Sequence, residues 1–358
     1  MDFALTDDQL AIQAAARDYL ADAAAPEVVR AAVDGDGFDP ALWQGLAVDM
    51  GFAGLMIPEA HGGAGLGAVE MALVLEEAGR RLAPVPYFET AVLVVQALLA
   101  AGTAVQQARW LPRLAAGAPA SFAGTADRPV LADGRLTGTA GYVTFGAVAQ
   151  ILVVATRDDR LVVLEPGTPG LAIEPLMALD RTRPFARVRF DCAVPDDAVL
   201  AGDGAGAGAV ARALAVGAGL LAAEQTGAMQ FSLDATVDYA TQRVQFGRAI
   251  GSFQAVKHML ADMMLLVEAS RSAAYYAAAA IDEGGAELAE AAAVARSFVS
   301  DAFRSVAGDA IQLHGGIGFT WEHHAQLYFK RAQATASWLG SADRHREALA
   351  SIILKDAA

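Results

Sequence analysis

The chain has 358 residues and a mass of 37.0 kDa, enough for two or three domains around a large buried core. Its formal charge of −15 argues against nucleic acid and anionic membranes as partners; with 55% hydrophobic residues, many of them alanine, no apolar run reads as a membrane span. The opening MDFALTDDQL does not read as a signal peptide, and the single cysteine, Cys192, excludes an internal disulfide; together they predict a cytoplasmic protein.

From the N-terminus to residue 117 the apolar spacing is helical. Thr6-Asp7-Asp8-Gln9 predicts a capped start for a helix carrying Leu10, Ile12, Ala16, Tyr19 and Leu20. Asp39-Pro40 opens another around Leu42, Trp43 and Leu46, with Gly51 near its end. Pro58 to Gly65 holds too many breakers for regular structure and predicts a loop. A long apolar helix follows from Val69 to Ala78, on which Glu76-Glu77 and Arg80-Arg81 are expected to pair at i,i+4. Pro84-Val85-Pro86 then turns the chain into the run from Thr90 to Ala101.

Residues 118–203 change texture. Ile151–Ala155, Leu161–Leu164 and Ala186–Phe190 read as strands, linked by turns at Asp133-Gly134, Asp158-Asp159 and Pro166 to Gly170. Cys192 reads as a small residue of this β segment. Residues 204–358 return to helical periodicity, in four or five segments broken at Gly247, Gly284-Gly285 and Gly315 to Gly318. Gly204 to Ala209, with Glu224 beyond it, has the spacing of a dinucleotide fingerprint. That fingerprint needs a strand on either side, and here helix follows helix, so the segment reads as a linker. His323-His324 would point about 100° apart on a helix, with no third ligand at a familiar spacing. A surface role is expected there, and no metal.

Two segments carry the chemistry. Tyr239 to Met263 predicts a helix interrupted at Phe246-Gly247, with Arg243 and Gln245 before the break and Gln254 after it. Farther on, Gln312-Leu313-His314-Gly315-Gly316-Ile317-Gly318-Phe319 is a glutamine followed by a glycine-rich turn. A fixed cation and side-chain amides beside open backbone donors suit a diphosphate.

In this order and at this distance from the C-terminus, the two segments resemble the acyl-CoA dehydrogenase family of flavoproteins. The resemblance covers the whole chain, including Trp43 to Gly67, which is similar to the family's tryptophan, proline-glutamate and glycine signature. It implies an α+β multidomain fold: an N-terminal helical domain (1–117), a middle β domain (118–203) and a C-terminal helical bundle (204–358). It implies FAD, with the ADP half held by Arg243, Gln245, Phe246, Gln254, Gln312, Leu313, Gly315 and Gly316 on behalf of a neighbouring subunit. Tyr142-Val143-Thr144 aligns with a segment whose aromatic residue lies against the flavin ring and whose threonine meets its reactive edge. Tyr142 and Thr144 are therefore cofactor candidates, while Thr144 and Thr125 read equally as ordinary β-domain residues. The family's threonine-glutamate-proline run is shortened here to Ser121–Asp127, with Thr125 as a remnant.

The reaction that the resemblance implies is α,β-dehydrogenation of an acyl-CoA thioester. A carboxylate in a dry pocket removes the α-proton, donors hold the enolate oxygen, and the β-hydrogen leaves as hydride to the flavin. Most members carry the base as a glutamate before a glycine-threonine pair; here Leu339 stands there, followed by Gly340-Ser341. The family's alternative position falls at or near Gly217, which is no carboxylate either. Glu224 is two helical turns beyond, about 10 Å away, and Asp343 follows the turn; these are the weak candidates. Gly217 and Gly219 suggest room for a bulky group.

Three readings stay open. The chain is the base-lacking subunit of a hetero-oligomer, as in the mixed assemblies of bacterial steroid side-chain degradation, with a second acyl-CoA dehydrogenase-like subunit supplying the glutamate. Otherwise it is an active homotetramer using Glu224 or Asp343, or a non-redox binding or scaffold subunit. Electron transfer flavoprotein is the acceptor that the family implies.

Overall fold

A computed structural model describes residues 4–285 and 287–356, the last two by their backbone only. Helices come first: α1 (Asp7–Ala23), α2 (Pro26–Asp34), α3 (Pro40–Gln44), α4 (Ala68–Arg80), α5 (Val95–Ala101) and α6 (Ala104–Ala115). The strands β1 (Ala120–Ala123), β2 (Val130–Ala132), β3 (Arg135–Thr144), β4 (Ile151–Ala155), β5 (Leu161–Leu164), β6 (Leu171–Leu176) and β7 (Phe185–Ala193) follow. Beyond them lie α7 (Ala207–Gln242), the short strands β8 (Val244–Gln245) and β9 (Arg248–Ala249), then α8 (Gln254–Glu283), α9 (Glu287–His314), α10 (Ala325–Thr335) and α11 (Ala342–Asp356). The order is helical, β, helical.

Local chemistry sets several boundaries. The Thr6 hydroxyl accepts from the Gln9 amide at 3.2 Å and the Gln9 side chain accepts from the Thr6 amide at 3.0 Å, a reciprocal cap for α1. Asp39 caps α3 by accepting from the Leu42 amide at 2.8 Å. Asp133 and Gly134, with φ of +47° and +70°, make the two-residue turn from β2 into β3. The run ahead of α5 is wound as a π-helix over Glu89–Val94.

The chain forms two compact units, one drawn from residues 30–71 and 84–217, the other from residues 1–29, 72–83 and 218–358. The first unit holds two sheets, β1-β4-β5 with β1 parallel to β4, and the antiparallel β2-β3-β7-β6. Every residue of β4 and β5 is buried, whereas β7 alternates. Cys192 lies on the inner face of β7 among Leu136, Val188 and Phe190, and burial pushes its thiol pKa up. It is a core residue.

In the second unit α8 and α9 pack side by side, with α10 and α11 against α9. Helices α4 and α7 cross at close range. A Cβ on Gly79 would lie 1.9 Å from the Glu224 carbonyl, and one on Gly227 would lie 1.7 Å from the Glu76 carbonyl. Glycine is required at both.

Several expectations need correction. Helix α7 begins at Ala207, so only Gly204 to Gly206 remains as linker. The helix is also long and apolar enough to cross a membrane by length and composition, contrary to the expectation that no run reads so; 67% of its apolar window is buried within the protein, as in a core helix. Glu76 and Glu77 do not pair with Arg80 and Arg81 at i,i+4. Being buried, they take cations from other helices: Glu76 accepts from Arg271 Nε at 3.0 Å and from the Tyr275 hydroxyl at 2.8 Å, Glu77 from Arg17 at 2.7 Å. Arg80 meets Glu77 only at i,i+3, 3.5 Å away. His323 and His324 precede α10 in a turn and are half-buried, not surface groups on a helix. The room expected at Gly219 is filled by Ile281, Ala277 and Ala292.

Candidate functional site

The diphosphate-type residues all lie in the second unit. After α7 the chain makes a tight hairpin, β8 to β9, turning at Phe246 and Gly247 with φ of +53° and +77°. The Arg243 amide donates to the Tyr239 carbonyl at 2.8 Å and the Arg243 carbonyl accepts from the Ile250 amide at 2.8 Å, so the hairpin base is tied on both sides. Arg243, Gln245 and Phe246 project to the surface, Phe246 at 93% exposure. Arg243 makes no ion pair among the described residues. Gln254 opens α8 and is exposed.

At the other segment, Gln312 is exposed on the last turn of α9 and Leu313 is half-buried. The chain then tightens into a 3₁₀ turn over Gly315–Phe319. Gly315 has a φ of +63°, which favours glycine. A Cβ on Gly318 would lie 2.8 Å from that of His314, whereas Gly315 and Gly316 face open space. The turn is closed at Gly318 by packing and left open where a ligand would approach.

Tyr239 joins the two segments. Its ring stacks on His314 at 4.5 Å, and His314 contacts His323 at 4.4 Å. Burial lowers the pKa of His314, and its Nδ1 lies 2.7 Å from the Ala310 carbonyl, which fits a neutral ring donating from Nδ1. Sequence reading missed this stack. Its one sequence signal is that Tyr239 sits a helical turn before Arg243.

Tyr142 and Thr144 belong to the first unit. A bulge in β3 between Ala140 and Val143 sends Tyr142 outward, with a φ of +55° and 60% exposure, its ring edge-on to Phe185 at 5.9 Å. Thr144 is only 2% exposed, and its carbonyl accepts from the Ser121 hydroxyl at 2.8 Å. The shortened loop after β1 is tied down by Arg128, which donates to the Gly124 carbonyl at 2.9 Å and pairs with Asp159.

The base positions lack a free, buried carboxylate. Leu339 sits in a turn with a φ of +58°, and Gly217 is a buried residue of α7. Glu224 is buried and ion-paired to the equally buried Arg331 at 2.8 Å. Asp343 lies in the first turn of α11, with a side chain 86% exposed and paired to Arg346 at 2.7 Å. The turn around Leu339 is held by groups that sequence reading did not identify. Arg296, fully buried, donates to the Trp338 carbonyl at 2.8 Å and to that of Thr335, and burial pushes its pKa down to about 10. His345 Nε2 lies 2.9 Å from the Leu339 carbonyl. Among the described residues no group of three or more His, Cys, Asp or Glu could hold a metal.

Family comparisons agree with this architecture. The model of the acyl-CoA dehydrogenase N-terminal domain matches residues 6–118, and that of the C-terminal domain matches residues 204–354. The acyl-CoA dehydrogenase IpdE2 of Mycolicibacterium smegmatis is 38% identical over 318 residues, 88% of this chain and 89% of that protein. A chain of the ChsE4-ChsE5 complex from Mycobacterium tuberculosis superposes with a TM-score of 0.91 at 28% identity, covering 99% of both chains. A chain of the Tcur3481-Tcur3483 steroid ACAD gives 0.87 at 31% identity, covering 98% of this chain and 99% of that one. The chain belongs to the acyl-CoA dehydrogenase family and has its fold. The cofactor of such a protein is FAD, and an exposed cation without an ion pair, flanking amides and an open glycine turn fit its ADP half.

Proposed function

We propose that this chain is the base-lacking subunit of a hetero-oligomeric acyl-CoA dehydrogenase. Its Arg243, Gln245, Phe246, Gln254, Gln312, Leu313, Gly315 and Gly316 hold the ADP half of FAD for a partner subunit, which brings the catalytic glutamate. One observation carries the reading. Arg243, Gln254 and Gln312 are exposed and Gly315 and Gly316 face open space, while leucine occupies the base position and both nearby acids are already paired to arginines.

FAD supplies a hydride acceptor for the β-hydrogen of the acyl-CoA. This chain's part is to fix the cofactor. Arg243 neutralises diphosphate charge, the glutamine amides orient it, and the Tyr239–His314 stack keeps the hairpin beside the glycine turn. The α-proton passes to the partner's carboxylate. The closed Thr144 and the tied-down loop after β1 suit a chain that serves a neighbour's flavin. The ChsE4-ChsE5 structure is itself a complex, which supports a partnered enzyme, and the Tcur3481-Tcur3483 protein is called a steroid ACAD, which supports a steroid-derived acyl-CoA as substrate. Electron transfer flavoprotein is the acceptor proposed.

The test is the visible spectrum of the purified chain, alone and co-expressed with a glutamate-bearing family member, followed by anaerobic addition of acyl-CoA thioesters. The lone chain should lack stoichiometric flavin, and the pair should show a flavin band that bleaches. Stoichiometric flavin on the lone chain that bleaches with substrate would sink the proposal.

A further inference from the structure

The outer surface of the α8–α9 pair carries an unusual combination of groups. On α8, Ala261, Asp262, Leu265 and Ala269 share one exposed stripe at i, i+4 and i+3 spacing, with Leu265 at 69% exposure and the adjacent Met264 at 58%. On α9, Ser305 is exposed, and a Cβ on Gly308 would meet nothing within 4 Å. Small residues there let another helix approach closely, and the large exposed apolar side chains would gain from being covered.

Two acids sit in this face. Asp309 of α9 is half-buried; burial raises its pKa, and the charge of Asp262 on α8 raises it further. Neither forms an ion pair among the described residues, and none of Lys257, Arg271, Arg296 and Arg304 on the same helices pairs with them. Covering the face without a cation would strand two carboxylates away from water.

We propose that this face docks a helix of a different chain, one bearing Lys or Arg where it meets Asp262 and Asp309, and that the acid pair disfavours a second copy of this chain in the same place. A two-fold contact presents the same patch from both sides. With the axis through the pair, a copy brings two more carboxylates, on a chain already at −15. A partner with a basic residue there gains a charge match at a contact whose remainder is apolar or small. The inference rests on the hetero-oligomer reading and adds to it the chemistry by which the partner is chosen.

The test uses the full chain against itself. Sedimentation equilibrium would compare the wild type, Asp262→Asn/Asp309→Asn, Asp262→Lys/Asp309→Lys and an equimolar mixture of the wild type with the lysine variant, circular dichroism confirming that each is folded. The lysine variant serves as the basic partner. The mixture should associate about tenfold more tightly than either component alone, and the asparagine variant should self-associate more tightly than the wild type, both differences shrinking in high salt. No preference for the mixture, or equal self-association of wild type and asparagine variant, would overturn the proposal. These measurements need neither flavin nor substrate. Their failure leaves the base-lacking reading standing, and a lone chain that turns over acyl-CoA would remove that reading whatever they show.

Discussion

Glu224→Gln separates a structural carboxylate from a catalytic one. Glu224 and Arg331 face each other at 2.8 Å with side chains 5% and 3% exposed. Glutamine keeps the shape and one acceptor oxygen but removes the negative charge that faces the buried Arg331. Breaking a buried pair from one side costs roughly 3–5 kcal/mol. At about 2–4 °C per kcal/mol for a folding unit of this size, Tm should fall by roughly 6–20 °C. The assay is thermal unfolding of the lone chain followed by circular dichroism, with Asp343→Asn as an exposed control expected to shift Tm by less than about 2 °C. A Glu224→Gln protein as stable as the wild type would refute the structural assignment. If the same variant abolished dehydrogenation by a lone chain that otherwise turns over, Glu224 would be the base.

Arg243→Gln removes a charge-assisted contact to a diphosphate and should weaken FAD retention by the assembled pair about tenfold to a hundredfold, read by flavin fluorescence after dilution; unchanged retention would take Arg243 out of the site. Gly227→Ala places a methyl 1.7 Å from the Glu76 carbonyl and should prevent a normal fold, seen as loss of soluble protein or of the cooperative melt. Arg296→Met strips the Thr335 and Trp338 carbonyls of their donor and should cost about 2–4 kcal/mol in urea unfolding; Arg296→Lys should restore only part, because an ammonium cannot span both as a guanidinium does. His314 and His345 are both held below the usual histidine pKa by burial, so the unfolded chain takes up protons first. Their stability contribution is present above about pH 6.5 and lost as pH falls through their lowered folded values. The melting temperature should decline on that side, and a His314→Gln/His345→Gln variant should decline less.

What the sequence disclosed was largely local. The Thr6–Gln9 cap, the Asp39 cap and the Asp133-Gly134 turn are decided by neighbours within a few residues, so their signals are compact. The breaks beside Arg243 and Gln312 were legible for a related reason: each is marked by a glycine that turns the chain, Gly247 and Gly315. The partners of buried charges were not legible. Glu76 finds Arg271 far along the chain, a partner set by helix packing, whereas helical spacing pointed to Arg80. The same holds for Arg296, whose contacts are backbone carbonyls with no side-chain signature. Helix α7 passes a composition test for a span because alanine-rich apolarity is the same whether a helix is covered by protein or by lipid. The depth of Thr144 could not be read from a strand whose register a bulge resets.

The crossing of α4 and α7 bears on how this protein can change over evolutionary time. A glycine codon becomes an alanine codon by a single base change, and this sequence is rich in alanine. At Gly79 and Gly227 that most accessible neighbour in codon space is barred by a carbonyl of the opposing helix. The two sites are also coupled through one another: each glycine lies against the backbone of a glutamate whose side chain neutralises an arginine, half-buried Arg271 for one helix and buried Arg331 for the other. A methyl that pushed the helices apart would loosen both ion pairs at once. Mutational pressure toward alanine therefore meets a fixed point where these two helices cross.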